Sequence, residues 1–210
     1  MTQLFFCFIE GLIRNIGGGV GIRIRRFYYK RRLKSCGKSL TIAPNVFIEK
    51  PALVSVGDNV WIDKGAILIA GKLSHSDNVK WIENANFKGS AGEILIGNCV
   101  HIGISTIIQG HGGVEIGNFF TTSAGCKIYS LSNDPDKCRG GTMSCGAQKA
   151  FYVQSPLFVG DNVWLGLNVS LLKGCVFDDT FVQPNSVIVK NLGPNVIAGG
   201  FPAQKIRNRF

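Results

Sequence analysis

Aliphatic residues recur at every sixth position along most of this 210-residue chain. In one copy of the pattern, Ile96, Ile102 and Ile108 follow this spacing, and a glycine comes directly after each of the first two. Further copies lie at Val56, Ile62 and Leu68, at Ile116, Thr122 and Ile128, at Val159, Leu165 and Leu171, and at Val182 and Ile188, with a weaker copy at Ile42 and Ile48. A repeat this short has room for only one short strand and one turn.

The repeat also specifies which side chains face inward. Small residues such as Val100 and Thr106 stand four positions after an aliphatic residue, so both kinds of residue can point into a narrow prism. Three units would close one triangular coil, and successive coils would pair at about 4.8 Å. Strands of a β-sandwich recur every 8 to 12 residues or so instead. The sequence therefore predicts an all-β parallel β-helix of hexapeptide repeats.

Three segments break the six-residue frame. Residues 71–92 are polar and irregular, the interval from Ile108 to Ile116 is eight residues instead of six, and residues 133–155 contain no repeat. Insertions in a solenoid concentrate where the protein has its function, because the regular coils mainly hold position. We therefore expect a loop extruded from the β-helix at about 133–155 and a functional site near it.

The first 38 residues differ from the remainder, a β-helix domain predicted over 39–210. An apolar start is followed by nine Lys or Arg residues between Arg14 and Lys38, with no Asp or Glu among them. The apolar run is too short to cross a bilayer and does not resemble a signal peptide. The segment is predicted to be partly helical, and it either contacts the inner face of an anionic membrane or caps the first coil. Nucleic-acid binding is not favoured, because the charge of +10 comes without a binding motif.

Cysteine usage indicates a reducing compartment. The seven cysteines form an odd set without a CxxC pair, and they are scattered among the repeats as small apolar residues would be. Histidines and cysteines do not cluster at the spacing of a zinc site. The sequence thus predicts a cytoplasmic protein with reduced thiols and no metal.

Three stretches carry a resemblance to a known family. Residues 56–68 read VGDNVWIDKGAIL, residues 159–175 read VGDNVWLGLNVSLLKGC, and residues 187–206 read VIVKNLGPNVIAGGFPAQKI. These motifs resemble the hexapeptide-repeat acyltransferases over roughly residues 40–207, and the layout is similar to sugar O-acetyltransferases of capsule and lipopolysaccharide synthesis. The resemblance implies a left-handed β-helix, a homotrimer, and acetyl-CoA bound in clefts between subunits.

Acyl transfer to a hydroxyl needs a base, and the chain offers three histidines for this role: His75, His101 and His111. In the family pattern the base is a histidine at the end of the third-side hexapeptide before the extruded loop. Asn133 stands at that position here, and an asparagine cannot accept a proton at neutral pH. The base must therefore be another residue, or the mechanism differs from the pattern.

His111 is the predicted base. If two successive coils run from Ile96 and from Ile116, His111 falls on the same edge as Asn133 and Asp134, about one strand spacing away. Asp134 could orient the imidazole, or act as a carboxylate base if burial raised its pKa. His101, at the end of a first-side hexapeptide, is the second candidate. The alternative to a catalytic role is a structural one, in a turn for His111 and on the coil surface for His101.

The coenzyme site follows from the resemblance. The family's GxPA tail, here at about 190–210, corresponds to Gly200, Pro202 and Ala203, with Phe201 in place of the common asparagine. The cations Lys190, Lys205 and Arg207 could neutralise the phosphates of coenzyme A, while Trp164 and Gly166 match a segment that lines the family's cleft. Solvated surface positions are the alternative for each cation.

The resulting functional prediction is an acetyl-CoA-dependent O-acetyltransferase acting on a small-molecule or lipid-linked saccharide in surface polysaccharide synthesis. An N-acetyltransferase acting on an amino sugar nucleotide is the nearest enzymatic alternative. A catalytically inactive β-helix scaffold is the non-enzymatic one, and Asn133 is the observation that favours it.

Overall fold

The computed structural model describes residues 2–73, 78–137 and 151–210. Two helices come first, α1 (Thr2–Arg14) and α2 (Gly18–Arg32), and short strands make up most of the rest. Within the described residues, no helix is both long and apolar enough to cross a membrane. The first strand begins at Ser35, so the coils start inside the segment predicted to precede them.

Three strands form each coil, one on each side. The first coil contains β1 (Ser35–Cys36), β2 (Thr41–Ile42) and β3 (Phe47–Glu49), and after a short 3-10 helix at Pro51–Leu53 the second contains β4 (Val54–Val56), β5 (Trp61–Ile62) and β6 (Ile67–Ile69). Strand β7 (Val79–Trp81) lies outside the coils, and the third coil contains β8 (Ile94–Ile96), β9 (His101–Ile102) and β10 (Ile107–Gln109).

Three more coils follow. The fourth contains β11 (Val114–Ile116), β12 (Thr121–Thr122) and β13 (Lys127–Tyr129), and it is followed by β14 (Leu131–Asn133) and β15 (Tyr152–Gln154). The fifth contains β16 (Leu157–Val159), β17 (Trp164–Leu165) and β18 (Ser170–Leu171), and the sixth contains β19 (Cys175–Val176), β20 (Phe181–Val182) and β21 (Val187–Ile188). A hairpin of β22 (Val196–Gly200) and β23 (Ala203–Asn208) ends the chain.

Equivalent strands of successive coils pair in parallel and form three sheets. The first sheet has the order β1-β4-β8-β11-β16-β19, the second β2-β5-β9-β12-β17-β20-β22-β23, and the third β21-β18-β13-β10-β6-β3. In the third sheet Ile108 pairs with Leu68 on one side and with Ile128 on the other. The predicted six-residue frame is therefore confirmed as the register of a parallel, three-sided coil.

The repeat positions form one continuous core. Ile102, Ile108 and Ile128 are fully buried, as are the corresponding aliphatic residues of the other coils. In the fourth coil Phe120 takes a position that a small residue usually occupies, and the buried Thr122 of the same coil is smaller than the aliphatic residue usual at its position. Interiors tolerate such exchanges when total volume is kept. The Thr122 hydroxyl accepts the Gly103 N–H at 2.7 Å, so this polar group is satisfied.

The two irregular excursions meet in a small fourth sheet. Strand β14 pairs antiparallel with β15, and β15 pairs parallel with β7. The base of the extruded loop is thereby tied to the excursion predicted over residues 71–92, although 138–150 of the loop and His75 of the excursion lie outside the described residues.

The five cysteines in the described ranges are free, and burial raises the pKa of the Cys126 thiol to about 11, which keeps it protonated at neutral pH.

Helix α2 covers the first coil. Its buried face carries Gly21, Arg25 and Tyr29, spaced by one turn. The fully buried Arg25 donates from Nε to the Ile42 carbonyl at 2.9 Å and from a terminal nitrogen to the Ile16 carbonyl at 2.7 Å. Desolvation lowers the pKa of this guanidinium. The capping role predicted as one alternative for the N-terminal segment is thus present.

Candidate active site

His111 occupies the turn that leads from β10 in the third coil to β11 in the fourth. Its Nδ1 lies 2.6 Å from the backbone oxygen of Gly71, in the equivalent turn one coil earlier. A carbonyl oxygen only accepts hydrogen bonds, so Nδ1 carries a proton, and in the neutral ring Nε2 keeps a lone pair. A half-buried neutral imidazole held in this way can accept a proton from an acceptor hydroxyl.

Glycines fix the shape of the turn around His111. The Gly112 N–H donates to Ser130 Oγ at 2.9 Å, and a Cβ added at Gly112 would lie 2.4 Å from the Ser130 carbonyl oxygen. Gly113 has a φ of 101°, which favours glycine. The interval from Ile108 to Ile116 is two residues longer than the repeat. The extra residues thus form a tight turn whose backbone cannot easily shift.

Asn133 and Asp134 follow the equivalent turn one coil later. Strand β14 begins directly after Ser130, which bonds to the His111 turn, and Asn133 is its last residue. The Asp134 N–H donates to the Phe151 carbonyl at 2.9 Å, and its buried carboxylate accepts the Asp136 N–H at 3.1 Å. The strand that carries Asn133 therefore leaves the β-helix at the predicted edge.

A small cavity of about 160 Å³ stands at the base of the extruded loop. Its lining includes Asp134 together with Lys80, Lys137 and Tyr152. The two lysines come from β7 and from the start of the loop, so both excursions contribute charge beside the carboxylate. His111 does not line this cavity. The turn of His111 is instead linked to Asp134 by the hydrogen bond from Gly112 to Ser130 and by β14, which runs from Ser130 towards Asp134.

His101 lies on another side of the coil. It belongs to β9 in the second sheet, where its outward ring lies 5.1 Å from the Trp61 ring and its Nε2 lies 3.5 Å from Asp63 Oδ2. The turn of His111 connects the third sheet to the first. The two candidate bases therefore serve different surfaces of one subunit.

Four of the predicted coenzyme residues share one cleft. Lys190, Pro202, Ala203 and Lys205 line a cleft of about 450 Å³ between the turn after β21 and the terminal hairpin. Its volume is in the range of small-molecule sites. The cleft has two lysines and no acidic residue among its lining residues, which suits an anionic ligand.

The remaining predicted coenzyme residues lie apart from this cleft. Trp164 stands on the outer face of the second sheet, in the same column as Trp61, and both rings are about half exposed. A Cβ added at Gly166 would lie 2.7 Å from the Pro184 nitrogen, so this glycine permits close packing of coils. Gly200 and Arg207 lie on the two strands of the terminal hairpin.

Gly71 and Lys50 are site residues that sequence reasoning missed. Gly71 supplies the carbonyl that orients His111, and the Lys50 side chain lies against Gly71. The signal was present in the repeat, because Gly71 and His111 each stand three residues after the third-side aliphatics Leu68 and Ile108. Stacking the coils would have placed the two residues next to each other.

Among the described residues, no three His, Cys, Asp or Glu side chains form a metal-binding group.

No family model matches the sequence. Among curated proteins, the chain is 23% identical over 167 residues to a probable acetyltransferase of Mycobacterium tuberculosis, covering 77% of the chain and 54% of that protein. It is 36% identical over 53 residues to the galactoside O-acetyltransferase of Escherichia coli, which is 25% of the chain and 26% of that protein. It is 28% identical over 160 residues to an Escherichia coli dTDP-4-amino-4,6-dideoxy-D-glucose acyltransferase, which is 74% of the chain and 82% of that protein.

Solved structures share the fold. AntD, an N-acyltransferase from Bacillus cereus in complex with dTDP and coenzyme A, superimposes with a TM-score of 0.72 at 22% identity, over 89% of this chain and 90% of that one. A maltose O-acetyltransferase from Clostridium difficile superimposes with a TM-score of 0.59 at 17% identity, over 97% and 84%. The chain spans about half the length of the mycobacterial relative and a quarter of the galactoside enzyme. The predicted resemblance to hexapeptide-repeat acyltransferases is confirmed.

Proposed function

We propose that the protein transfers an acetyl group from acetyl-CoA to a hydroxyl group of a saccharide in surface polysaccharide synthesis, with His111 as the base. The hydrogen bond from His111 Nδ1 to the Gly71 carbonyl is the observation that carries this proposal, because in the neutral ring it makes Nε2 the nitrogen that can accept a proton. Relatives that are acetyltransferases, and neighbours solved with coenzyme A, support the reaction class.

The proposed reaction needs one proton carrier. The acceptor oxygen attacks the thioester carbonyl carbon while Nε2 of His111 takes the hydroxyl proton. The tetrahedral intermediate then collapses, the carbon–sulfur bond breaks, and the imidazolium returns the proton to the departing sulfur. The bond to Gly71 holds the ring while its charge changes, because Nδ1 remains a donor throughout.

Assembly and handedness belong to the same proposal. We propose a left-handed β-helix that forms a homotrimer, with acetyl-CoA lying along the coils between subunits. Half-exposed Trp61 and Trp164 on the second sheet, with Phe181 4.7 Å from the Trp164 ring, support a subunit contact on that face. His101, which stands beside Trp61, would then face a neighbouring subunit.

Product analysis tests the reaction. Purified protein is incubated with acetyl-CoA and free, nucleotide-linked or lipid-linked saccharides, and release of the coenzyme thiol is followed together with the mass of the product. We expect a mass increase of one acetyl group that mild alkali removes, as for an ester. Thiol release with none of the acceptors, in a protein that binds coenzyme A, would contradict the proposal.

An amino sugar nucleotide is the second candidate acceptor. A dTDP-amino-sugar acyltransferase is matched over 82% of its length, and AntD was solved with dTDP. The buried Asp134, flanked by Lys80 and Lys137, would be the acidic residue nearest to such an acceptor in the extruded-loop cavity. An alkali-stable product would favour this amide-forming reaction. Failure of the protein to bind coenzyme A would favour the inactive scaffold.

The lysines of the terminal cleft should contribute to coenzyme binding. Replacing both Lys190 and Lys205 with glutamate is expected to weaken binding of coenzyme A about tenfold or more, because the phosphates lose two cations and meet two anions. Calorimetry with coenzyme A and with dephospho-coenzyme A measures the effect, which should be smaller for the second ligand. Lys64→Glu, an exposed change elsewhere, is the control. Equal affinities for parent and double variant would place the phosphates at another site.

We also propose that the protein is cytoplasmic and makes a peripheral contact with the inner face of an anionic membrane. On α1, Leu4, Phe5, Phe8 and Leu12 are all more than half exposed. On α2, the exposed cations are Arg23, Arg26, Lys30 and Arg31. The single acid of residues 1–38, Glu10, is buried, and its carboxylate accepts a hydrogen bond from the Tyr28 hydroxyl at 2.9 Å. Apolar side chains beside an unopposed basic face suit a surface of anionic lipids.

Aspartate on the exposed face of α1 should abolish membrane binding. We expect the parent to sediment with vesicles of phosphatidylglycerol and phosphatidylcholine, and less with phosphatidylcholine alone, whereas Phe5→Asp with Phe8→Asp stays in the supernatant. Added salt should weaken binding of the parent. Phe210→Asp, an exposed phenylalanine at the other end of the chain, should sediment as the parent does. Parent protein that remains in solution with both vesicle types would refute the contact.

A further inference from the structure

A groove of about 560 Å³ runs between α1 and the first coil. Most of its wall is apolar, with Phe6 from α1 on one side and Phe47, Ile48 and Leu53 from the first coil and the following turn on the other. Two cations, Arg32 and Lys50, and two acids, Glu10 and Glu49, also line it. The groove thus combines a hydrocarbon wall with two cations that an anionic group could reach.

The apolar wall continues onto an exposed surface. Phe6 contacts Phe5 with ring centroids 5.9 Å apart, and Phe5, Leu4 and Phe8 are exposed on the outside of α1. A hydrocarbon chain could therefore continue from the surface of α1 along Phe6 into the groove. This continuity argues for an extended apolar ligand rather than for a compact polar one.

Arg32 presents an unsatisfied donor at the groove. Its guanidinium lies 3.7 Å from the centroid of the Phe6 ring, and its Nε is buried without a hydrogen-bond partner among the described residues. Arg32 also hydrogen-bonds the Tyr28 side chain, and its unpaired Nε beside the cavity leaves a donor that an anionic ligand could accept from. The acid Glu10, which also lines the groove, is engaged by the Tyr28 hydroxyl.

Lys50 connects the groove to the candidate base. A Cβ built at Gly71 would lie 2.4 Å from Lys50 Cδ and 2.7 Å from its Nζ, so this side chain lies along the Gly71 backbone. The carbonyl of the same Gly71 accepts the proton of His111 Nδ1. These residues occupy the turns after the first, second and third coils, so Lys50 and His111 are separated by about two strand spacings, or roughly 10 Å.

We infer that the acceptor is a saccharide carried on a lipid phosphate. The hydrocarbon chain lies in the groove, the phosphate lies between Arg32 and Lys50, and the sugar extends past Gly71 towards His111. A separation of roughly 10 Å is the length of one or two sugar units, so a hydroxyl near the reducing end would reach Nε2. This inference rests on the proposed function and names the acceptor class for the same site.

Ligand binding tests the inference without catalysis. Farnesyl phosphate, farnesol and inorganic phosphate are titrated separately into the full chain by calorimetry. We expect farnesyl phosphate to bind at least tenfold more tightly than either of the others, because only it engages both the apolar wall and the cations. Equal affinity for farnesol and farnesyl phosphate, or no binding of farnesyl phosphate, would overturn the inference. An active transferase that fails this titration would retain the proposed function and lose only the acceptor class.

Two substitutions locate the binding. Ala52→Trp, at an exposed position on the groove, should reduce affinity for farnesyl phosphate at least tenfold by filling the space. Ala85→Trp, an exposed alanine outside the groove, should leave it unchanged. Arg32→Gln together with Lys50→Gln should bring the affinity for farnesyl phosphate close to that for farnesol. If Ala52→Trp instead changes the mass of the assembly and leaves farnesyl phosphate binding intact, the groove holds a second copy of the chain and the inference is wrong.

Discussion

Replacing His111 with asparagine should lower the turnover number for acyl transfer by about 10² to 10⁴ fold, which is the usual contribution of a general base. Asparagine retains an N–H that can donate to the Gly71 carbonyl, as Nδ1 does, but it has no basic nitrogen in place of Nε2. The turn should therefore keep its shape while the proton acceptor is lost. Steady-state kinetics with acetyl-CoA and the acceptor identified by product analysis measure the effect.

The matched control is His101→Asn. His101 lies on the second sheet beside Trp61, so its replacement should leave the turnover number within a few fold of the parent. Coenzyme A should bind both variants and the parent with the same affinity, because neither histidine lines the terminal cleft. Full turnover of His111→Asn would remove His111 as the base. A large loss in His101→Asn alone would transfer the role to His101.

Truncating Phe120 to alanine should reduce the free energy of unfolding by about 3 to 5 kcal/mol. The side chain is fully buried in the fourth coil, at a position that a small residue usually occupies. Neighbouring strands are held by their pairing with the coils above and below, so the cavity cannot collapse. Urea unfolding, followed by circular dichroism at one fixed protein concentration, measures the loss.

Phe119→Ala is the matched comparison, because it removes the same side chain from the adjacent residue. Phe119 is 61% exposed, so its loss should change the free energy of unfolding by no more than about 0.5 kcal/mol. The difference between the two variants isolates the contribution of burial from that of residue type. Equal effects would show that the interior of the coil rearranges to fill the gap.

The six-residue frame predicted the architecture because each repeat is short and locally complete. A residue such as Ile108 pairs with residues 40 positions earlier and 20 positions later, yet its inward direction is set by the period alone. The lengthened turn at His111 and the extruded loop were likewise predictable, since they are interruptions of the same frame. These features require no knowledge of contacts between distant segments.

Contacts made by the irregular segments were not predictable in this way. The pairing of β15 with β7 joins two excursions that the repeat does not cover, and no period relates them.

The motif VGDNVW occurs at both Val56 and Val159, so it could not show which copy lines a cleft. The structure places Trp61 and Trp164 in one column of the second sheet and the cleft with Lys190 elsewhere. Similarly, burial of the charged Arg25 depends on carbonyl groups from α1, from the segment after α1 and from the first coil.

The covering of the first coil by α2 has a consequence for the solubility of the protein. Stacked coils present open strand edges at their terminal layers, and an identical molecule could add to such an edge indefinitely and build a fibre. Because α2 lies over the first coil, with Arg25 bonded to the Ile42 carbonyl and Tyr29 packed into the core, it blocks another molecule from adding to that layer. Deleting α2 would therefore be expected to convert a discrete particle into one that polymerises end to end.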